Sequence, residues 1–301
     1  MIEFSALTKW YGTVRGAEDI SFSVQPGEVF GYLGPNGSGK STTLRCAMGL
    51  LRPTSGEIRV FGEPVRAGCA TGHEQIGFLP GELRLWPRVT GRKALEVLGA
   101  LGGCQQTASR RRQELAERLH LDLDRPIGKL SKGNRQKVGL VLTFQSDPDL
   151  LILDEPTTGL DPLIVAVALD LIREAAARGA AVLLSSHDLG QVAAVGHRTA
   201  ILREGRLVVM DRIDTLVARS EHHLRVWFAK PATPFPVHAF TGVRILKTED
   251  RYLHLAYRGS PDTLLRWLGK FEVKRLISPE PTLEEAFLEY YQSPAADKEE
   301  S

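Results

Sequence analysis

Eight consecutive residues, Gly34-Pro35-Asn36-Gly37-Ser38-Gly39-Lys40-Ser41, narrow what this chain can become more than any other stretch. They follow the spacing G-x-x-x-x-G-K-[ST] of a phosphate-binding loop. A triphosphate presents charged oxygens that need donors from many sides. Gly34, Gly37 and Gly39 let consecutive N–H groups turn inward where a Cβ would stand in the way. Lys40 adds a point charge that can reach the outer phosphates, and the Ser41 hydroxyl is placed to ligate Mg2+. The flanks agree. Residues 29–33 are a short apolar run that reads as a buried strand. Residues 41–51 carry Leu44, Ala47, Met48 and Leu51 at helical spacing. A helix N-terminus, with Thr42 in its first turn, therefore faces the anion.

Bulk properties bound the remaining choices. The 301 residues are 43% hydrophobic and 25% charged, an ordinary globular balance with room for one large domain or one large and one small. The formal net charge of +2 shows no basic excess, and no basic stripe is visible, which speaks against a general nucleic-acid binder. The run Arg110-Arg111-Arg112 is followed by Glu114 and Glu117 at helical spacing and reads as a solvated helix face. Cys46, Cys69 and Cys104 form no C-x-x-C pair, so neither a zinc site nor a disulfide framework is expected, and a reducing cytosol fits. The first residues have no basic stretch before an apolar core, so no signal peptide is expected. No run approaches about 18 apolar residues, and the chain is not expected to span a membrane by itself.

Along the chain, residues 20–24 alternate as a half-buried strand, and 25–28 turn into the strand that feeds the loop. Residues 57–61 and 76–79 are further strands. From 90 to about 121 the apolar period lengthens to three and four residues, predicting two helices broken at Gly102-Gly103. Ser131 is a good N-cap for a helix over 135–145, and Gly133 clears space at its start. Leu150-Leu151-Ile152-Leu153 reads as a strand buried on both faces, and Asp154 and Glu155 emerge at its carboxyl end, where open α/β sheets bind ligands. Two adjacent acids there suit metal-shell work by Asp154 and polarisation of an attacking water by Glu155. A helix over 163–177 and a strand over 180–184 follow. His187 then falls on the same sheet edge. Residues 201–208 read as a closing hairpin.

In this order the pieces resemble the nucleotide-binding subunit of ATP-binding-cassette (ABC) transporters over about residues 1–215. Residues 34–41 look like its Walker A loop, 130–134 (Leu-Ser-Lys-Gly-Asn) its signature motif, usually L-S-G-G-Q, and 150–155 its Walker B strand. Thr158-Gly159-Leu160-Asp161 looks like the D-loop, His187 the switch histidine, and Tyr11 the aromatic that stacks on adenine. Two departures stand out. Lys132 and Asn134 replace a glycine and the glutamine of the signature. Gly81, followed by Glu82, stands where the family usually has a glutamine. The resemblance implies an α/β P-loop NTPase cassette, a mixed sheet core with a helical subdomain over about 82–145.

Residues 216–293 read as a separate small α+β domain, with alternating strands near 224–228, 252–257 and 271–277. A capping box at Thr282-Leu283-Glu284-Glu285 opens a final helix with Leu283, Ala286, Phe287 and Tyr290 as its stripe. Residues 294–301 read as a disordered polar tail. This part is similar to the C-terminal extension of ABC subunits from the bacterial drug, polymer and antibiotic export group. The resemblance implies an ATPase that binds ATP and Mg2+ and forms a homodimer. Ser131 and Gly133 of one copy would meet the γ-phosphate held by the other copy's 34–41 loop. Glu155 would orient the water, His187 would steady the γ-phosphate, and Ser41 and Asp154 would share the metal. A separate transmembrane permease would keep the chain peripheral on the cytoplasmic face of the membrane. The alternatives are a soluble ATP-driven regulator or nucleic-acid-linked ATPase, and a cassette that binds ATP but hydrolyses it poorly. A single Walker A loop, no long heptad run, and the presence of both Glu155 and His187 weigh against these.

Overall fold

A computed structural model of the chain describes residues 1–68, 75–101, 108–219, 221–231, 240–279 and 282–283. The chain divides into two compact units after Asp211. Cys69, Cys104, the break at Gly102-Gly103, the final helix beyond Leu283 and the 294–301 tail lie outside the described residues.

The first unit is built on a six-stranded sheet of order β10-β9-β3-β8-β7-β6. β3 (Val29–Leu33), β7 (Leu150–Asp154) and β8 (Ala181–Ser186) are buried at every position. This is the burial expected of central parallel strands covered on both faces. β3, β6 (Ile76–Leu79), β7, β8 and β9 (Arg198–Arg203) pair in parallel. β10 (Arg206–Arg212) closes the edge after a turn at Glu204-Gly205. A second sheet, order β2-β1-β4-β5, is antiparallel and consists of β1 (Ile2–Tyr11), β2 (Val14–Val24), β4 (Ser55–Val60) and β5 (Glu63–Pro64). One core fills the space between the sheets. Phe22 stacks on Phe4 and Phe30 with ring centroids 4.3 and 4.8 Å apart, and Leu44 of α1 (Lys40–Ala47) joins them.

The other face of the parallel sheet packs against α5 (Pro162–Ala177) and α6 (Leu189–Val195). A helical layer of α2 (Gly91–Leu101), α3 (Ala108–Arg118) and α4 (Lys132–Phe144) carries the stretch read from sequence as two helices and a capped third. Arg118 tethers α3 to α5 through a two-bond clamp on Glu174, at 2.8 and 2.6 Å. No helix among the described residues is long and apolar enough to cross a membrane.

The sheet register decides what meets at the carboxyl edge. Leu33 pairs with Ser186, and Asp154 pairs with Ser185. The chain therefore leaves β3 and β8 at one level and β7 one residue earlier, bringing Gly34, His187 and Glu155 out as neighbours at one edge.

The second unit opens with α7 (Ile213–Arg219) and holds a four-stranded antiparallel sheet of order β12-β13-β11-β14. Its strands are β11 (His222–Phe228), β12 (Val243–Glu249), β13 (Tyr252–Tyr257) and β14 (Val273–Ile277). Leu224, Val226, Phe228, Leu253 and Leu255 alternate inward and pack on Leu264 and Leu268 of α8 (Asp262–Leu268).

Candidate functional site

The phosphate-type loop runs from the end of β3 to the start of α1. Gly39 is the helix N-cap, at φ 107, and a Cβ there would run into the carbonyl of Gly16. Only glycine fits both the turn and the close approach. Lys40 is 6% exposed. Its Nζ donates to the carbonyls of Gly34 (2.6 Å) and Pro35 (3.2 Å) and lies 3.4 Å from Glu155 Oε1. Ser38 Oγ is buried without a hydrogen-bond partner. A loop that curls a buried ammonium inward and leaves a buried hydroxyl unpaired is chemically suited to an anion.

Glu155 sits at φ 52, a left-handed conformation that side chains rarely adopt. Its N–H donates to the carbonyl and the hydroxyl of Ser185, both at 3.2 Å. The turn sends the carboxylate toward Lys40 and His187, with His187 Nδ1 2.7 Å from Glu155 Oε2. Asp154 stays in the strand end, 3% exposed, and Oδ1 accepts a 2.6 Å hydrogen bond from Ser185 Oγ. From α4, Gln136 Nε2 donates to the carbonyls of Glu155 (3.3 Å) and Pro156 (3.0 Å).

Of these groups, Lys40 and Glu155 line a cleft of about 260 Å3, whereas Asp154, His187, Ser185 and Gln136 do not. Asn36, Gly37, Gly39, Lys40, Ser41 and Thr42 line one side, and Tyr11, Val14, Arg15, Gly16 and Glu155 the rest. Tyr11 is the last residue of β1 and directly precedes the turn at Gly12. Its ring lies against Gly16, its hydroxyl is 3.5 Å from Thr42 Oγ1, and Lys9 Nζ sits 5.2 Å over the ring.

Ser131, Gly133 and Asp161 do not line this cleft. Ser131 caps α4 by accepting from Asn134 N at 3.1 Å, and Asp161 caps α5 by accepting from Ile164 N at 3.1 Å. Gly133 is pressed on the loop between β7 and α5, where a Cβ would come 2.5 Å from the carbonyl oxygen of Gly159. The space at this glycine is thus taken by the chain's own backbone. Glu82 pairs with Arg84 at 3.0 Å on the surface and does not line the cleft. A Cβ on Gly81 would lie 3.1 Å from Asp154 Oδ2.

Two residues at the centre of this network, Ser185 and Gln136, carried no motif signal. Ser185 shares the strand end that exposed His187. Gln136 faces inward from the first turns of α4, a direction that the helical period could have suggested.

Comparison with known proteins agrees with this geometry. A family model described as "ABC transporter" matches residues 17–158. The chain is 37% identical over 220 residues to the Nod factor export ATP-binding protein I of Paraburkholderia xenovorans (strain LB400), covering 72% of each chain. A solved ATP-binding subunit of an ABC transporter is 32% identical, with a TM-score of 0.68 over 72% of this chain and 91% of that one. A bacterial ABC transporter cassette solved in dimeric form shares the fold at 23% identity, with a TM-score of 0.65 over 70% of this chain and 98% of that one.

Proposed function

The chain belongs to the ABC transporter family as an ATP-hydrolysing, ATP-binding subunit, and we propose that it works as a homodimer powering export through a separate permease. The observation that carries this reading is Glu155, which lines the phosphate-type cleft beside Lys40 and is held from outside the cleft lining by His187, while the capped start of α4 stays away from that cleft. Within one copy, residues 34–42 hold the phosphates and Tyr11 stacks on the base. Glu155 orients the attacking water and His187 steadies the outer phosphate. The N–H groups of Lys132 and Gly133 lead α4 and, with the Ser131 hydroxyl, form a donor set aimed at an anion outside the chain's own cleft. In the proposed dimer that anion is the γ-phosphate held by the second copy. The like-folded dimeric cassette supports the pairing, and the export proteins among the relatives support the direction.

The residues also fit Mg2+. Ser41 lines the cleft, and Asp154 commits only Oδ1 to Ser185. When bound, the metal would neutralise charge between the outer phosphates. The small second unit has no assigned chemistry in this reading. Attachment to the membrane would come through the permease.

The test is ATP turnover and oligomeric state of wild type and Glu155→Gln with Mg-ATP. Hydrolysis by wild type, with an ATP-dependent dimer and a turnover loss of about a hundredfold or more in the variant, is the expected result. A variant that turns over like wild type removes Glu155 from this role.

A further inference from the structure

The last residues of β8 hold a side chain that touches both acids of the site. Ser185 is fully buried. A hydroxyl has one proton and two lone pairs. Here the proton goes to Asp154 Oδ1 at 2.6 Å, a short bond of the charge-assisted kind. A lone pair accepts the N–H of Glu155 at 3.2 Å. The second bond holds the residue whose φ is 52. We propose that Ser185 is a positioning residue for hydrolysis: one hydroxyl fixes which oxygen of Asp154 is left for the metal shell and pins the backbone turn that delivers the Glu155 carboxylate. The inference rests on the roles proposed above for Asp154 and Glu155.

The surroundings leave these jobs to Ser185. Asp154 Oδ2 faces Gly81, which has no side chain to orient it. Glu82 is turned away in its pair with Arg84. The Glu155 carboxylate meets Lys40 and His187, but its amide depends on Ser185 alone, through carbonyl and hydroxyl. Replacing Ser185 by alanine removes the hydroxyl and leaves the carbonyl. Asp154 can then rotate, and the Glu155 turn keeps one anchor of two.

The full chain is tested as Ser185→Ala and as Ser185→Cys, which keeps a weak donor at similar volume. Turnover should fall about tenfold to a hundredfold in Ser185→Ala, the usual range for losing a partner of a metal-site carboxylate. Metal-free ATP should bind within about twofold of wild type, because residues 34–42 are untouched, while KM for Mg-ATP should rise by up to about tenfold with the lost metal contribution. Calorimetry of ADP binding with and without Mg2+ gives a readout independent of turnover. The affinity gained from Mg2+ should shrink by about tenfold in Ser185→Ala, with metal-free binding unchanged. If Ser185→Ala fails to bind metal-free ADP, it is misfolded and Ser185→Cys carries the test, with a smaller loss in the same two quantities. Turnover and Mg2+ gain both at wild-type values, in a variant that binds metal-free ADP normally, overturn the proposal. Glu155→Gln in the same assay separates the two levels. If it turns over normally, the reading of the site itself fails. If it is inactive while Ser185→Ala is normal, only the role of Ser185 fails.

Discussion

Replacing Tyr11 by alanine should weaken ATP binding about fivefold and leave the binding of inorganic tripolyphosphate unchanged. Tyr11 is 44% exposed and lines the cleft. It is held before any base arrives, by Gly16 at its edge, Lys9 above it and the Thr42 hydroxyl near its own. Little ordering remains to be done on binding. A base stacked on an aromatic side chain gains about 1–3 kcal/mol. One face of this ring already carries Lys9, so the lower end applies. About 1 kcal/mol is roughly fivefold in Kd. Tyr11→Phe keeps the ring and loses only a contact at the limit of hydrogen-bonding distance, so it should stay within about twofold. Isothermal calorimetry of both variants with ATP and with tripolyphosphate reads these values. Equal losses for the two ligands would mean that the ring shapes the loop and does not stack. A Tyr11→Phe variant as weak as Tyr11→Ala would assign the effect to the hydroxyl.

Two further outcomes concern stability. Gly133→Ala should cost about 1–3 kcal/mol, because its Cβ meets the Gly159 carbonyl and backbone must give on both sides. Nucleotide-free thermal unfolding should drop by roughly 2–12 °C, and an unchanged melting curve would leave the glycine to the nucleotide alone. Arg118 holds the Glu174 carboxyl below its ordinary value of 4.5. A depressed carboxylate stabilises the fold above that ordinary value and loses the contribution as pH falls through the folded one. The partly exposed pair should contribute about 0.5–1 kcal/mol at neutral pH. Glu174→Gln should therefore melt roughly 1–4 °C lower at pH 7, with the gap narrowing as pH falls below 4.5. A gap that does not narrow with acidification would point to packing.

The elements that hold the cleft were legible because their signals are local. A glycine-rich spacing, an apolar run of four and a serine before a helix each announce themselves within a few residues. Residues 29–33 and 150–154 are strands with no exposed position, as their unbroken apolar runs require. What stayed hidden was set by partners far away in sequence. β12 has little apolar alternation, with a burial pattern open to solvent over its second half, and exists because β13 pairs with it. Gly133 reads as clearance for a ligand until Gly159 is seen against it. Ser185 is one serine among several, and its importance lies in a register linking residues 31 apart. A pattern search has no access to that register. The fold exposes it.

That register has a further consequence. The pairing of Leu33 with Ser186 and of Asp154 with Ser185 at one edge is fixed by hydrogen bonds between strands, and side chains alternate faces with each residue. Adding or deleting one residue within β3, β7 or β8 would turn the site groups away from one another, whatever residue was inserted. The segments joining the strands carry no such rule. The working edge is thus rigid in length and the peripheral layers are elastic. Length changes in the helical layer leave this edge untouched, while the three strand ends must keep their relative register.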